Sequence, residues 1–187
     1  VLTYDFTERK DDKATLAMKW EELAAPLQIA VPNATDYYIA EIGKELRSSP
    51  GFQYQNWAAA AQYAIGQKRA AEALQWAEAA AHAPQGIGHE TFNTLMTLAT
   101  AQELNGKTAD AAATREKALN HPTATAADIH QFGRLLLTQK KKDEAIKVFE
   151  FNAKRFGNVW PVNVSLARAN SAKGNYPEAL KYAKAAL

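Results

Sequence analysis

Two arginines and a histidine are the side chains whose types and spacing best fit a defined chemistry. The sequence positions of Arg134 and Arg168 differ by 34, and His130 precedes Arg134 by one helical turn. Two guanidinium groups and an imidazole on one surface can hold a carboxylate through bidentate hydrogen bonds, as an acidic peptide or a chain terminus would offer. In the alternative interpretation, Glu103 or Glu150 pairs with these arginines inside the protein.

Further polar residues share the spacing of the two arginines. A column of positions at intervals of 38, 34 and 34 starts at Gln62 and Thr100 and continues through the arginines, and Asn93 is a candidate for the same surface. The candidate partner-binding residues are therefore Gln62, Asn93, Thr100, His130, Arg134 and Arg168.

Constellations typical of enzymes and metal sites are missing from the sequence. There is no cysteine, hence no thiol nucleophile and no thiolate ligand, and none of the four histidines has a ligand spacing. Glu21 and Glu22 are neighbours on an extended segment, where adjacent side chains point to opposite faces and cannot share acid and base roles. No glycine motif for phosphate or dinucleotide binding occurs. We therefore expect no enzymatic activity, no metal and no cofactor.

The tryptophans and the charge distribution have less specific interpretations. Trp57, Trp76 and Trp160 have helical spacing, which favours packing in the core over a ligand platform. Residues 120–187 carry 11 Lys and Arg against 5 Asp and Glu, so this end either attracts an acidic partner or is a mixed, solvated helical surface. Nucleic acid is not an expected partner, because basic residues are not interleaved with exposed aromatic ones.

Four similar alanine-rich segments recur along the chain, and the helices that they predict would position these side chains. Aligned on a Glu-Ala or Asp-Ala pair, they have their anchors at intervals of 38, 34 and 34, at Ala73, Ala111, Ala145 and Ala179. Twelve residues before each anchor stands another small residue, which lets two helices cross closely, at Ala61, Ala99, Gly133 and Ala167. A period of about 34 residues is typical of tetratricopeptide repeats.

The chain resembles the tetratricopeptide repeat (TPR) family over residues 52–187. The resemblance implies a mainly α fold, a solenoid of about four helix hairpins with a concave surface for a protein or peptide partner. Gly106 and Gly174 lie where the turn inside a hairpin favours a left-handed backbone. Lys68 and Lys140 occupy the same place in the other two repeats, so looser turns are predicted there.

A capping helix is predicted over residues 33–49, immediately before the repeats. Asn33 is a suitable N-cap residue, Pro32 keeps the preceding chain extended, and Asp36 lies near the positive end of the helix dipole. The helix resembles an unpaired half-repeat that closes the solenoid.

Residues 1–31 alternate with the period of a β-strand rather than a helix. The stretches YDFTER, TLAMKW and PLQIAV predict three strands, the first two joined by a turn at KDDK. The apolar face formed by Tyr4, Phe6, Leu16, Met18 and Trp20 should be buried, either on the helix after Asn33 or within a larger β-domain.

A second resemblance concerns the stretch ATLAMKWEELAAPLQIAV. It is similar to the end of a β-sandwich domain of unknown function that precedes such repeats in exported bacterial proteins. The resemblance implies a division into a β-segment at 1–32 and a helical repeat domain at 33–187. It also favours a periplasmic or envelope location over the cytoplasm. Because the chain begins at Val1 rather than Met, we expect that a signal peptide or a longer segment preceded it.

Two functions remain open at this point. The chain is either a non-catalytic interaction module that binds a protein or peptide in its groove, or a structural support for a β-domain that carries the ligand-binding or enzymatic role. No apolar run is long enough to cross a bilayer. The apolar residues Leu180, Ala183 and Leu187 of the last helix also predict a surface for self-association.

Overall fold

The computed structural model describes residues 1–10, 12–157 and 159–187. In this part of the chain three strands precede nine α-helices, as the predicted mainly α fold requires. The strands are β1 (Leu2–Arg9), β2 (Lys13–Trp20) and β3 (Leu23–Ala30). The helices are α1 (Ala34–Glu45), α2 (Tyr54–Gly66), α3 (Ala70–His82), α4 (Phe92–Leu104), α5 (Thr108–Asn120), α6 (Ala126–Thr138), α7 (Lys142–Phe156), α8 (Trp160–Lys173) and α9 (Tyr176–Ala185), with a 3-10 helix at Ser49–Phe52.

The three strands form an antiparallel sheet in the order β1, β2, β3, as predicted. The register pairs Tyr4 with Met18 and Leu16 with Leu27, so the apolar side chains share one face. The predicted turn at residues 10–13 includes Asp11, which lies outside the described residues. Beside it, the Lys10 N–H donates to the Lys13 carbonyl at 2.8 Å.

The predicted burial of the apolar sheet face on the helix after Asn33 is wrong, whereas its burial within a larger β-domain stays a prediction. Tyr4 is 63% exposed and Trp20 60% exposed, and Phe6 and Met18 are also exposed. The strands pair through backbone hydrogen bonds, but no described element covers this face. Alternation in the sequence identifies which face is apolar; it does not supply a covering layer.

The chain divides into two compact units. Unit 1 comprises residues 1–89 and 100–107, and unit 2 comprises residues 90–99 and 108–187. The sequence-based division at residue 32 stays a prediction. No described helix is long and apolar enough to span a membrane.

In unit 1, helices α2 and α3 form a hairpin through the small residues that the repeat pattern identified. Ala61 and Ala73 are fully buried where the helices cross. The side chain of Trp76 is buried too, and its ring lies 3.8 Å from where a Cβ on Gly43 of α1 would be. The Trp57 indole N–H donates to the Gly51 carbonyl at 2.8 Å, which ties α2 to the 3-10 helix. The small side chains let the helices approach closely, and Trp76 packs beside Gly43.

In unit 2, α6 pairs with α7 and α8 pairs with α9, while α8 also packs on both α6 and α7. One apolar cluster includes residues of α4 to α8; it consists of Phe92, Leu95, Ala118, Ala124, Ile129, Phe132, Leu136, Ala145, Val148, Phe149 and Ala169. At the closest crossing, a Cβ on Gly133 would meet the Phe149 ring at 2.1 Å. The predicted need for a small residue at position 133 is therefore confirmed.

The turns inside the four hairpins have one geometry, which corrects the expectation of looser turns at the lysines. Lys68 and Lys140 have φ of 57° and 62°, close to the 74° and 81° of Gly106 and Gly174. In each turn the next residue's N–H donates to a carbonyl five residues earlier at 2.9 Å. The packing of the two helices fixes the turn, and the lysines adopt the left-handed backbone that it demands.

The capping helix begins where predicted, but Asn33 does not cap it with its side chain. Its backbone is left-handed, with φ of 58°, and its side chain forms no cap hydrogen bond. The Asn33 carbonyl instead accepts from the N–H groups of Asp36 and Tyr37 at 2.9 and 3.2 Å. The N-cap preference identified the boundary correctly because asparagine tolerates this backbone conformation.

Candidate partner-binding site

His130 lies at the centre of a polar network inside unit 2. Its side chain is buried on α6, and the ring Nδ1 lies 2.8 Å from the Ser165 Oγ of α8. The imidazole stacks on Phe149 of α7, with ring centroids 5.9 Å apart. His130 therefore connects three helices from two consecutive repeats.

The hydrogen bonds around Ser165 fix the position of the imidazole proton. The Ser165 hydroxyl donates to the Pro161 carbonyl at 2.8 Å, so its oxygen acts as an acceptor for other groups. That oxygen accepts from Nδ2 of the fully buried Asn152 at 3.3 Å and from Nδ1–H of His130. The proton of the neutral imidazole is consequently on Nδ1, which leaves Nε2 with its lone pair.

The pKa of His130 is lowered from its ordinary value, chiefly by burial and also by the charges of Arg168 and Arg134. Burial disfavours the charged imidazolium, and two nearby cations disfavour it further. His130 is thus neutral at pH 7, and both arginines are close enough to act on it. The structure brings together three of the predicted residues: His130, Arg134 and Arg168.

Both guanidinium groups are exposed, and the described residues offer them few hydrogen bonds. The Arg134 Nη1 donates to the Gln131 side-chain oxygen at 3.4 Å. Within the described residues of unit 2, no carboxylate pairs with Arg134 or Arg168. The alternative that Glu150 neutralises them is wrong, because Glu150 pairs with Lys173. The alternative pairing with Glu103 stays a prediction.

The local sequence explains why α6 presents His130 and Arg134 in a fixed register. Thr125 and Asp128 form a capping box, in which the Thr125 hydroxyl oxygen accepts from the Asp128 N–H at 3.2 Å and the Thr125 N–H donates to the Asp128 carboxylate at 3.0 Å. His130 and Arg134 are four residues apart and so share one face of this helix.

The remaining candidate residues are exposed but are not shown to join the site. Gln62 of α2 and Thr100 of α4 belong to unit 1, and Asn93 of α4 belongs to unit 2. Their participation in a common partner-binding surface stays a prediction.

An apolar groove of about 770 Å³ lies on α8 and α9, and we call it the α8/α9 groove. It is lined by Leu137, Trp160, Val164, Ala167, Arg168, Ser171, Ala172, Ala179, Leu180, Ala183, Ala186 and Leu187. Leu180 and Leu187 are exposed, as the apolar pattern of the last helix predicted. Among the described lining residues Arg168 is the one that is charged, so the groove borders the basic site.

The three repeat tryptophans differ in their environments. Trp76 is buried and Trp57 is half-buried, which confirms the expected packing role for these two. Trp160 is 61% exposed and lines the α8/α9 groove, so the expectation of packing is wrong there. Trp160 is the first residue of α8, so no preceding turn of this helix lies beneath its side chain.

The His130–Ser165 contact was missed by sequence reasoning. The two residues are 35 positions apart, close to the repeat period, which was the available signal. Among the described residues, no group of three or more His, Asp and Glu side chains could hold a metal ion.

The fold and site together define a TPR-like helical repeat protein with an exposed basic site. No family model and no curated protein matches the sequence significantly. Two crystal structures of MamA are similar to it. One is 18% identical, covers 82% of this chain and 86% of its own, and gives a TM-score of 0.49; the other is 18% identical, covers 81% and 80%, and gives 0.48. Neither a partner nor an activity of this chain follows from that similarity.

Proposed function

We propose that the chain is a non-catalytic interaction module and that its α6 and α8 face binds an acidic group of a protein or peptide partner. The supporting observation is that Arg134 and Arg168, both exposed, lie near one buried imidazole without a carboxylate partner in the described part of unit 2. Two guanidinium groups in that arrangement attract a carboxylate and offer it bidentate hydrogen bonds.

The surroundings of the two arginines favour peptide binding over simple solvation. Arg168 lines the apolar α8/α9 groove, so a bound acidic group would have apolar surface beside it. His130 is neutral and hydrogen-bonded to Ser165, so the charge of this site comes from the two guanidinium groups. A partner that carries a carboxylate next to an apolar side chain fits this surface.

The close His130–Ser165 pair does not have the geometry of a catalytic nucleophile and base. Ser165 is fully buried, and its hydroxyl proton is directed at the Pro161 carbonyl rather than at the imidazole. A nucleophilic serine must donate its proton to the base and reach the substrate. The pair is better explained as a contact that joins two repeats, which supports the non-catalytic proposal.

The proposal is tested by titrating a short glutamate-rich peptide into the protein and measuring affinity calorimetrically at several salt concentrations. The variant Arg134→Ala/Arg168→Ala should bind at least about tenfold more weakly, because hydrogen bonds between charged groups are lost. Its affinity should also depend less on salt. The matched control is Lys147→Ala/Lys154→Ala, which removes the same charge from exposed positions of α7. Equal weakening in both variants would mean that only the overall charge attracts the peptide.

A second candidate function is structural support for a β-domain. It is favoured by the exposed apolar face of the sheet, since a large exposed apolar patch marks a surface that contacts another layer. The sequence resemblance of residues 14–31 to the end of a β-sandwich, and the periplasmic or envelope location that it implies, stay proposals. If a β-domain covers this face, acrylamide should quench Trp20 fluorescence less in a protein that carries the β-domain than in residues 1–187 alone. Unchanged quenching would exclude a covering β-layer.

A further inference from the structure

The α8/α9 groove is a second surface, separate from the two-arginine site except at Arg168. Its lining is mostly alanine with a few large apolar side chains, and Trp160 and Leu180 are exposed along it. The equivalent surface one repeat earlier, on α6 and α7, is packed against α8.

One repeat earlier, the same positions are covered by a helix. α8 packs on α6 and α7 through Ser165, which contacts His130 and Asn152. Ile146 and Phe149 of α7 are buried. The equivalent residues of the next repeat are Leu180, which is 57% exposed, and Ala183, which is also exposed. The hairpin of α8 and α9 therefore has an exposed helix-binding surface, or seat, equivalent to the surface of the preceding hairpin on which α8 packs.

The helix that fills the earlier seat shows which pattern the groove accepts. α8 buries Val162, Ser165 and Ala169, which lie on one helical face. In the groove, the small Ala183 stands at the position equivalent to Phe149, so more space is left for the incoming side chains. A helix with larger apolar side chains at the same spacing complements this space better than α8 itself would.

The positive charge of the groove indicates which charged side chain a bound helix should carry. Arg168 is the one charged residue in the lining, and no acidic residue is among the lining residues described. Lys181 is engaged by Glu178 outside the groove. An acidic side chain at the edge of the incoming helix would therefore meet Arg168, whereas a basic one would be repelled.

We propose that the α8/α9 groove binds an amphipathic α-helix of a partner protein, with large apolar residues at the spacing of Val162, Ser165 and Ala169 and an acidic residue facing Arg168. This goes beyond the binding of a carboxylate by Arg134 and Arg168, because the apolar face supplies the contact area and Arg134 takes no part. Helix-in-groove recognition is the general mode to which it belongs.

The test uses a synthetic helical peptide with leucines at that spacing, one glutamate at the edge of the leucine face, and alanine and glutamine elsewhere. Binding is followed by the fluorescence of Trp160, which should shift to shorter wavelength as the groove is covered. The variant Ala183→Glu places a carboxylate in the apolar seat and should weaken binding by at least about tenfold. Ala185→Glu is the matched control, because Ala185 is an exposed alanine of the same helix outside the groove.

The results distinguish a partner helix from a second copy of the chain, and the α8/α9 groove from the two-arginine site. Binding that is lost with Ala183→Glu, retained with Ala185→Glu and weakened when the peptide's glutamate is replaced by lysine supports the proposal. Binding that a scrambled peptide reproduces, or that Ala183→Glu leaves unchanged, overturns it. Sedimentation equilibrium addresses a second copy: a dimer that Ala183→Glu converts to a monomer would assign the groove to self-association instead. Arg134→Ala should weaken binding of the glutamate-rich peptide while weakening helix binding much less than Ala183→Glu does, which distinguishes this surface from the carboxylate site.

Discussion

The imidazole Nδ1 of His130 and the hydroxyl oxygen of Ser165 lie 2.8 Å apart and join the first helices of two consecutive repeats. The contact is buried, and both partners are held from other sides, His130 by Phe149 and Ser165 by Pro161 and Asn152. Buried polar groups with satisfied hydrogen bonds fix one arrangement of the helices around them. The same contact positions His130 beside Arg134 and Arg168, so the packing of two repeats and the candidate site depend on each other.

Stability should fall in mild acid because of His130. Its pKa is lowered in the folded protein relative to about 6.5 in the unfolded chain, so the unfolded state binds more protons just below that pH. The free energy of unfolding therefore decreases as pH falls from about 6.5 toward the folded pKa. Urea unfolding at about pH 7.5 and about pH 5.5 measures the change.

The variant His130→Gln supplies the control for this pH dependence. Glutamine does not titrate, so its free energy of unfolding should decrease less over the same pH interval, whatever its absolute stability. The same decrease in wild type and variant would assign the acid sensitivity to other groups.

Replacing the left-handed lysines by glycine should stabilise the hairpins. Lys68→Gly and Lys140→Gly should each raise the free energy of unfolding by about 0.5 to 1 kcal/mol, because a left-handed conformation is unfavourable for a residue with a Cβ and the greater freedom of glycine in the unfolded chain offsets only part of the gain. Thermal or urea unfolding measures the effect. The reverse change, Gly106→Lys, should lower stability by a similar amount; stabilisation by that change would show that the turns are not equivalent.

Two helical glycines should respond to alanine in opposite directions. In Gly133→Ala the new methyl group would meet the Phe149 ring at 2.1 Å, so the ring or a helix must move, at a cost of about 1 to 3 kcal/mol. Gly66→Ala places its methyl group in open space and should stabilise α2 by up to about 1 kcal/mol. Chemical unfolding of both variants measures the contrast. Equal effects would contradict the close crossing of α6 and α7.

The tryptophans of the sheet and of the helical core should differ in their contribution to stability. Trp20→Ala should change the free energy of unfolding by less than about 1 kcal/mol, since the side chain is 60% exposed. Trp76→Ala removes a buried ring and should cost about 3 to 5 kcal/mol. A large loss of stability with Trp20→Ala would indicate that the sheet face is covered in solution.

The repeat register was predictable from sequence because the crossing points demand small side chains. Ala61, Ala73 and Gly133 occupy those points, and each is buried where two helices meet. The left-handed turns at Lys68 and Lys140 were not predictable from residue type, since helix packing overrides the local preference of lysine.

The candidate site was predictable only in part. A shared helical face placed His130 beside Arg134, and the repeat period brought Arg168 near them. The contact with Ser165 and the partner of Glu150 depend on side-chain packing between repeats, which periodicity does not determine. The exposure of the sheet face was missed for a related reason, because an apolar pattern does not reveal whether a covering layer is present.

The most direct test of the proposed function is to observe the arginine side chains while an acidic peptide binds. In a nitrogen-15 NMR titration with the glutamate-rich peptide, the Nε–H resonances of Arg134 and Arg168, assigned by their loss in arginine-to-lysine variants, should shift together and saturate. The Arg155 resonance should stay unchanged, because that guanidinium already donates to the carbonyls of Leu119 and His121. Saturable binding that leaves both Arg134 and Arg168 unshifted would contradict the assignment of the partner site to these two residues.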